Sequence, residues 1–330
     1  MWNIVQCAVQ GRSHINEKIP CQDKTFFRIC DDTFVIALAD GAGSAKLSHY
    51  GAETATKYIC DELAEKFDEY YAENDGVLVK MKITGSLTGK LHERSEEIGC
   101  ETKDLASTLL FAAIKKDRFI LAHIGDGVIG YLKKGELKIA SYPENGEFVN
   151  TTVFTTSENA ITTMKLLKGY LGEIEGFVLM SDGTETALYN KREHKLIYAV
   201  KKIMLMSEFI NAIKIEDGLK ASFDNVVKTV TTDDCSIILM VKKNNMATGY
   251  MQLSDIDKCR VLGINERTSK KTLKKYDEIL NFTTEKKTLV QISRRIYLKE
   301  KYLIKYIEQL CGQGFIDKNG NFYQNVLYLD

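Results

Sequence analysis

Residues 107–141, STLLFAAIKKDRFILAHIGDGVIGYLKKGELKIAS, decide the fold class. Four short apolar runs, STLLFAAI, RFILAHIG, GVIGYLK and ELKIASY, are separated by turns such as KKD and KKGE, so they read as a β-meander. On the N-terminal side, Asn3 to Val9 alternates as a strand does, and Thr33 to Ala39 is a strand of the buried type. Gly51 to Tyr71 has helical spacing, with Ala52, Ala55, Ile59, Leu63 and Phe67 on one side, and a second helical stretch covers 77–98. On the C-terminal side, Gly176 to Met180 is a strand, 195–214 is helical and Cys235 to Val241 is a last strand. Strands and long helices without a βαβαβ rhythm predict an α+β fold with antiparallel sheets.

Residues 243–265 show no clear period and read as a linker after a first domain of 1–242. Beyond it, Lys270 to Leu280, Leu289 to Ile296 and Lys299 to Cys311 read as helices, with Tyr302 and Tyr306 as partial core. FIDKNGNFYQNVLYL then predicts a hairpin about Asn-Gly. Three helices and a hairpin over 266–330 predict a winged-helix-like domain.

The chain of 330 residues is 44% hydrophobic and 27% charged, with two prolines, which excludes general disorder. Apolar runs such as Phe34–Ala39 fall far short of the ~20 residues of a membrane span. The N-terminus lacks the basic and apolar segments of a signal peptide. Eight scattered cysteines without a C-x-x-C pair exclude a zinc ribbon and predict reduced thiols in a cytoplasmic protein. Equal numbers of basic and acidic residues conceal an asymmetry: 261–330 carries 13 basic against 8 acidic residues, leaving the first 260 net acidic.

Three Asp-Gly pairs follow apolar strands, at Asp40-Gly41, Asp126-Gly127 and Asp182-Gly183. Asp-Gly is good turn chemistry, which suits Asp126, because strands continue on both sides of it. It suits Asp40 and Asp182 poorly, since loop or helix follows them. Asp23 and the Asp233-Asp234 pair lie at other strand ends. Carboxylates converging from separate strands repel one another and call for cations. Oxygen ligands alone favour Mg²⁺ or Mn²⁺ over zinc. Asp23, Asp40, Asp182 and Asp233 would balance two divalent ions, and such a pair suits metal-assisted phosphate hydrolysis.

Five ordered segments carry a resemblance: GRSHINEKIPCQD (11–23), ALADGAGSAKLSHYGAETA (37–55), ASTLLFAAI…AHIGDGVIGYLKKGEL (106–137), GFVLMSDGTE (176–185) and TTDDCSIILMV (231–241). Together they resemble the protein phosphatase 2C family, most closely its bacterial branch, over about residues 1–242. The resemblance implies a four-layer α-β-β-α sandwich of two antiparallel sheets. It also implies hydrolysis of phosphoserine and phosphothreonine in proteins by a water activated by two Mn²⁺ or Mg²⁺ ions. Asp40 would bridge both ions and Gly41 would offer its carbonyl. Asp182 and Asp233 would hold one ion, Asp23 would support the other through water, and Asp126 matches the acid of a weaker third. Asp40 and Asp182 are then the catalytic pair.

This chain departs from the family pattern at several points. Gln22 stands where many members have Glu, and Lys18 stands where many have a phosphate-gripping Arg, with Arg12 as a substitute. Thr186 replaces an acid, with Glu185 beside it. Ala42 replaces the DGHGG histidine, leaving His14 and His49 as the nearby imidazoles. Asp234 takes the place of an Asn and would compete with Asp233. In the basic tail, Arg294, Arg295, Lys299, Lys301 and Lys305 would face DNA or a docking protein. The expected partners are a phosphoprotein substrate and a cognate Ser/Thr kinase, with no membrane. The competing class is a catalytically weak phosphatase-fold regulator acting through the tail; retention of Asp23, Asp40, Gly41, Asp182 and Asp233 argues against it.

Overall fold

The computed structural model describes residues 1–143 and 152–328. The chain runs β1 (Trp2–Val9), α1 (Arg12–Glu17), β2 (Lys24–Cys30), β3 (Thr33–Ala39), α2 (Ser48–Ala72), α3 (Gly76–Ile98), β4 (Leu109–Lys115), β5 (Arg118–Ile124), β6 (Val128–Lys133) and β7 (Glu136–Ser141). It continues through α4 (Ala160–Thr163), β8 (Lys165–Tyr170), β9 (Ile174–Met180), α5 (Asp182–Leu188), β10 (Tyr189–Asn190), β11 (Lys195–Leu196), α6 (Tyr198–Phe209), α7 (Ala212–Ser222), α8 (Lys228–Val230) and β12 (Cys235–Lys242). The C-terminal elements are α9 (Asp255–Val261), α10 (Lys270–Phe282), β13 (Lys287–Thr288), α11 (Leu289–Arg295), α12 (Glu300–Gly312), β14 (Ile316–Asn319) and β15 (Phe322–Asn325). Contacts divide the chain into two compact units. One is Trp2–Lys201 with Leu219–Val241; the other is Met1, Lys202–Gly218 and Lys242–Asp330.

The first unit holds two five-stranded sheets, in the orders β2-β3-β4-β5-β8 and β1-β12-β9-β6-β7, and the fold is α+β as expected. Strand periodicity of two explains why the central runs are apolar throughout. Val35, Ala37 and Ala39 of β3 join Phe111 and Ala113 of β4 beneath Ala52, Ala55, Ile59, Leu63 and Phe67 of α2. The alternate residues Ile36, Leu38, Leu110 and Ala112 meet Phe177, Leu179, Ile238 and Met240 of the other sheet. Each large side chain buried in this way contributes about 1.5–3 kcal/mol. The outward face of the second sheet is covered too, since Val178, Met180, Ile237 and Leu239 are fully buried. Helix α3 starts on the Asp75 carboxylate, which accepts from the Val77 and Leu78 amides, and stops at Gly99 in the left-handed region.

Residues 107–141 are not one meander. Strands β4 and β5 pair in the first sheet, whereas β6 pairs with β7 and β9 in the second. Gly125-Asp126-Gly127 is therefore the crossing between sheets and not a hairpin turn. Gly125 has φ +115°, which a side chain rarely adopts. This crossing sets Asp126 at a sheet end, and its turn chemistry alone no longer explains it.

On β5, His123 is buried and its Nδ1 lies 2.7 Å from the Ser141 hydroxyl. Burial, aided by Lys165, pushes its pKa down to about 3. The unfolded chain takes up this proton near pH 6.5, whereas the native chain resists until about 3, so the imidazole destabilises the fold as pH falls through that window. At pH 4.5 the loss is on the order of 3 kcal/mol. His123→Asn, which keeps a polar partner for Ser141, should flatten the fall in urea-unfolding free energy between pH 6.5 and 4.5. An unchanged slope would show that His123 does not carry it.

In the second unit, Phe209, Tyr250 and Phe315 are fully buried, with ring centroids 5.5 to 6.1 Å apart. The segment expected as a linker is structured: it contains a 3-10 turn at Tyr250–Gln252 and α9, whose Asp257 amide donates to Ser254 Oγ at 3.1 Å. Residues 202–218, read as part of the first domain, pack in this unit instead. Helices α10, α11 and α12 and the sheet β13-β15-β14 follow in the order helix, strand, helix, helix, hairpin. The hairpin loop is Gly320–Asn321, one residue beyond the expected Asn-Gly pair, because Asn319 pairs with Phe322. Tyr306 packs at a tilt against Tyr276, ring centroids 4.8 Å apart, but Tyr302 is 51% exposed and is no part of the core.

Candidate active site

The acids arrive from separate elements at one end of the sheets. Asp40 directly follows β3, and its backbone is fixed on both sides by Thr108. The Asp40 amide donates to Thr108 Oγ1 at 2.9 Å, and the Thr108 amide donates to the Asp40 carbonyl at 2.8 Å. Asp182 opens α5 directly after β9, and its Oδ1 accepts from the Gly183 amide at 2.6 Å. Gly183 must stay bare, since a Cβ there would meet the Asp234 carbonyl oxygen at 2.0 Å. Asp126 accepts from Thr152 Oγ1 at 2.5 Å. Asp23 precedes β2 and is 1% exposed.

Asp40 lies between Asp23 and Asp182, close enough to act on both by charge and by sharing a proton. Burial pushes Asp23 up to about 7. Burial also holds Asp40 well above the ordinary carboxylate range, with Asp23 and Asp182 adding repulsion. Asp182 rises to about 6, through burial first and then the charges of Asp126 and Asp233. The structure thus brings Asp23, Asp40 and Asp182 together, with Asp126 and Asp233 within their field.

Two observations bear on whether cations fit here. Among the described residues no three acidic, His or Cys side chains already form a ligand shell. Yet both carboxylate oxygens of Asp23 are buried without a hydrogen bond of normal geometry, although Asp40, Ser181 and Ser236 stand near them. Buried carboxylates are normally satisfied. Unsatisfied oxygens facing two further carboxyls are short of positive charge, and an all-oxygen donor set suits a hard divalent cation.

Asp234 differs from its neighbour. It is 1% exposed, accepting from the Gly11 amide through Oδ1 and the Gln22 amide through Oδ2, both at 2.5 Å. His14 Nδ1 stands 2.9 Å from the same Oδ2. Asp234 therefore clamps the start of α1 to the strand end, and its lone pairs are engaged. Exposed Asp233 is the member of the pair left for the cluster. His14 is accounted for by this clamp, and His49 packs against the Tyr50 ring at 4.2 Å. Of the cations expected to hold phosphate, Arg12 Nη2 donates to the Thr231 carbonyl at 3.3 Å, while Lys18 is the exposed, left-handed cap of α1.

A cleft of about 660 Å³ opens beside the cluster, lined by Asp126 and Asp182 and by Tyr142, Glu185, Tyr189, Lys191 and His194. Of these, sequence reading found only the two aspartates and Glu185. The hairpin β10–β11 that brings Lys191 and His194 carries no motif, only the polar loop KREH.

The family model described as protein phosphatase 2C matches residues 10–228. Serine/threonine-protein phosphatase 3 of Escherichia coli (strain K12) is 27% identical over 196 residues, 57% of this chain and 76% of that protein. Among solved structures, a bacterial serine phosphatase superposes with a TM-score of 0.53 at 14% identity, covering 74% of this chain and 99% of that one. The serine/threonine phosphatase of S. agalactiae superposes at 0.50 with 18% identity, covering 74% and 100%. These likenesses concern the fold.

Proposed function

The chain belongs to the protein phosphatase 2C family, and from that premise we propose that it hydrolyses phosphoserine and phosphothreonine in proteins with the aid of two Mn²⁺ or Mg²⁺ ions. The observation that carries this reading is Asp23, a buried carboxylate with both oxygens unsatisfied, beside Asp40, which in turn meets Asp182. The names of the E. coli relative and of the solved serine/threonine phosphatases support the substrate class.

In this reading Asp40 and the Gly41 carbonyl, Asp182, Asp233 and Asp23 would hold the ions, and Asp126 would serve a weaker third. When bound, such ions supply an acidic water at neutral pH and neutralise phosphoryl charge. The chain's own residues set the geometry. Thr108 fixes the Asp40 backbone, the first turn of α5 orients Asp182, Thr152 orients Asp126, and Asp234 holds α1 against the strand end. The water's oxygen would bond to phosphorus as the bond to the Ser or Thr oxygen breaks, one proton of the water passing to solvent and one from solvent reaching the leaving oxygen.

The C-terminal unit is assigned targeting or regulation. The helix, strand, helix, helix, hairpin order of residues 270–325 supports a winged-helix reading, in which Arg294, Arg295, Lys299, Lys301 and Lys305 would meet DNA or a docking protein. The eight cysteines are free, in keeping with a cytoplasmic setting; a cognate Ser/Thr kinase is the expected partner. No helix of the described residues is long and apolar enough to cross a membrane.

Phosphate release from a phosphothreonine peptide decides the matter. Activity should require Mn²⁺ or Mg²⁺ and vanish with EDTA. Turnover unchanged in EDTA would overturn the metal assignment, and no turnover with any ion would overturn the phosphatase reading.

A further inference from the structure

Among the described residues, the cleft beside the acidic cluster has one full cation in its lining. Three carboxylates, Asp126, Asp182 and Glu185, share its lining with Lys191. Lys191 Nζ stands 2.9 Å from Glu185 Oε1, but the two partners differ in access: the lysine side chain is 73% exposed and the glutamate 3%. The loop bearing Lys191 is shaped by its own contacts. Asn190 Oδ1 accepts from the Arg192 and Glu193 amides at 3.1 and 3.2 Å, and His194 lies 3.2 Å from the Tyr189 hydroxyl and edge-on to Tyr142. The exposed ammonium lines the same cleft as Asp182 and Asp126, and both carboxylates act on it through space.

We propose that Lys191 is a substrate-binding residue, which leaves Glu185 to hold the phosphoryl group of the bound phosphoserine or phosphothreonine. A phosphate dianion entering beside Asp126 and Asp182 meets repulsion that a cation in the same lining offsets. A lysine on a flexible stem exchanges partners without moving the backbone. Neither cation suggested by sequence offers this: Arg12 is turned to a carbonyl, and Lys18 caps α1. The inference rests on the phosphatase reading, and its test is chosen to fail separately from it.

The test compares Lys191→Met, Lys191→Arg, Glu185→Gln and the double Glu185→Gln/Lys191→Met variant in the full Mn²⁺-loaded chain. For a phosphothreonine peptide, Lys191→Met should raise KM about 10-fold with kcat within about twofold, because bound and transition states share this contact. Lys191→Arg should restore KM, and Glu185→Gln should lower it by freeing the ammonium. If Lys191 only neutralises Glu185, the double variant will return to the native KM; on the proposal it stays as weak as Lys191→Met. Binding of inorganic phosphate, followed by calorimetry, should weaken about 10-fold in Lys191→Met, and this reading decides the role even if the peptide is not turned over. Native phosphate affinity in Lys191→Met, or a KM rise in Lys18→Ala or Arg12→Ala alone, overturns the proposal.

Discussion

Asp40→Asn should lower turnover of a phosphothreonine peptide by about 10³-fold and, in chelator, raise the melting temperature of the protein by a few degrees. The first effect follows from removing the central carboxylate of the cluster; a factor of 10³ corresponds to about 4 kcal/mol of barrier. The second follows from the direction in which the same carboxyls titrate. Asp23 at about 7, Asp182 at about 6 and Asp40 well above its ordinary value all bind protons more tightly folded than unfolded. Groups shifted this way stabilise the fold below the unfolded carboxylate pKa of about 4 and lose that contribution as pH rises through 6 to 7. At pH 7.5 without metal the cluster is therefore a liability. Asn at its centre removes the carboxyl that interacts with both Asp23 and Asp182 and so relieves the two beside it. The melting difference should shrink at pH 5, where the native carboxyls are already protonated. Calorimetric scans with EDTA at both pH values check this. A variant that melts below the native protein at pH 7.5, or one that retains turnover with Mn²⁺, breaks the link between the cluster's charge and its task.

That trade between stability and activity also explains what was legible in the sequence. Residues that pack announce themselves through periodicity. Thr33 to Ala39 and the stripe from Ala52 to Phe67 were readable because each face of strand or helix meets one neighbour. Acids placed where packing logic has no use for them, at strand ends followed by loop or helix, were readable by the same argument inverted. Pairing between distant strands was not readable. The step from β5 to β6 looks like a hairpin because Gly125-Asp126-Gly127 has turn chemistry, and only the register of β6 against β9 shows that the chain has changed sheets.

Roles set by long-range contacts were equally hidden. Asp234 reads as an alternative ligand, yet its oxygens are engaged by amides 212 and 223 residues away. Lys191 lies in a polar loop indistinguishable from any solvated turn. It gains meaning only because the short hairpin returns it to the wall that Asp182 shares. The segment 243–265 lacked a period for a different reason: it is built from a turn, a short helix and one buried tyrosine, each too brief to show one.

A chain ending at Lys242 should be markedly less stable and less soluble than the full protein, although every acid of the cluster lies within it. Residues 202–218 belong to the unit formed with 242–330. Phe209 is fully buried there, against Tyr250 and Phe315. The Tyr328 amide donates to its carbonyl at 2.9 Å, and the Asn244 amide donates to that of Glu208 at 2.8 Å. Cutting at 242 removes both rings and both donors at once. Stripping a buried Phe of its surroundings costs about 3–5 kcal/mol, comparable to deleting the side chain, and the exposed ring invites association. The truncated chain should therefore melt well below the full protein or sediment after mild heating. Adding Phe209→Ser to it should improve solubility, whereas the same change in the full chain should destabilise. Equal melting of truncated and full chains would show that 202–218 stands without its C-terminal partners, and that the boundary at 242 read from the sequence is a physical one.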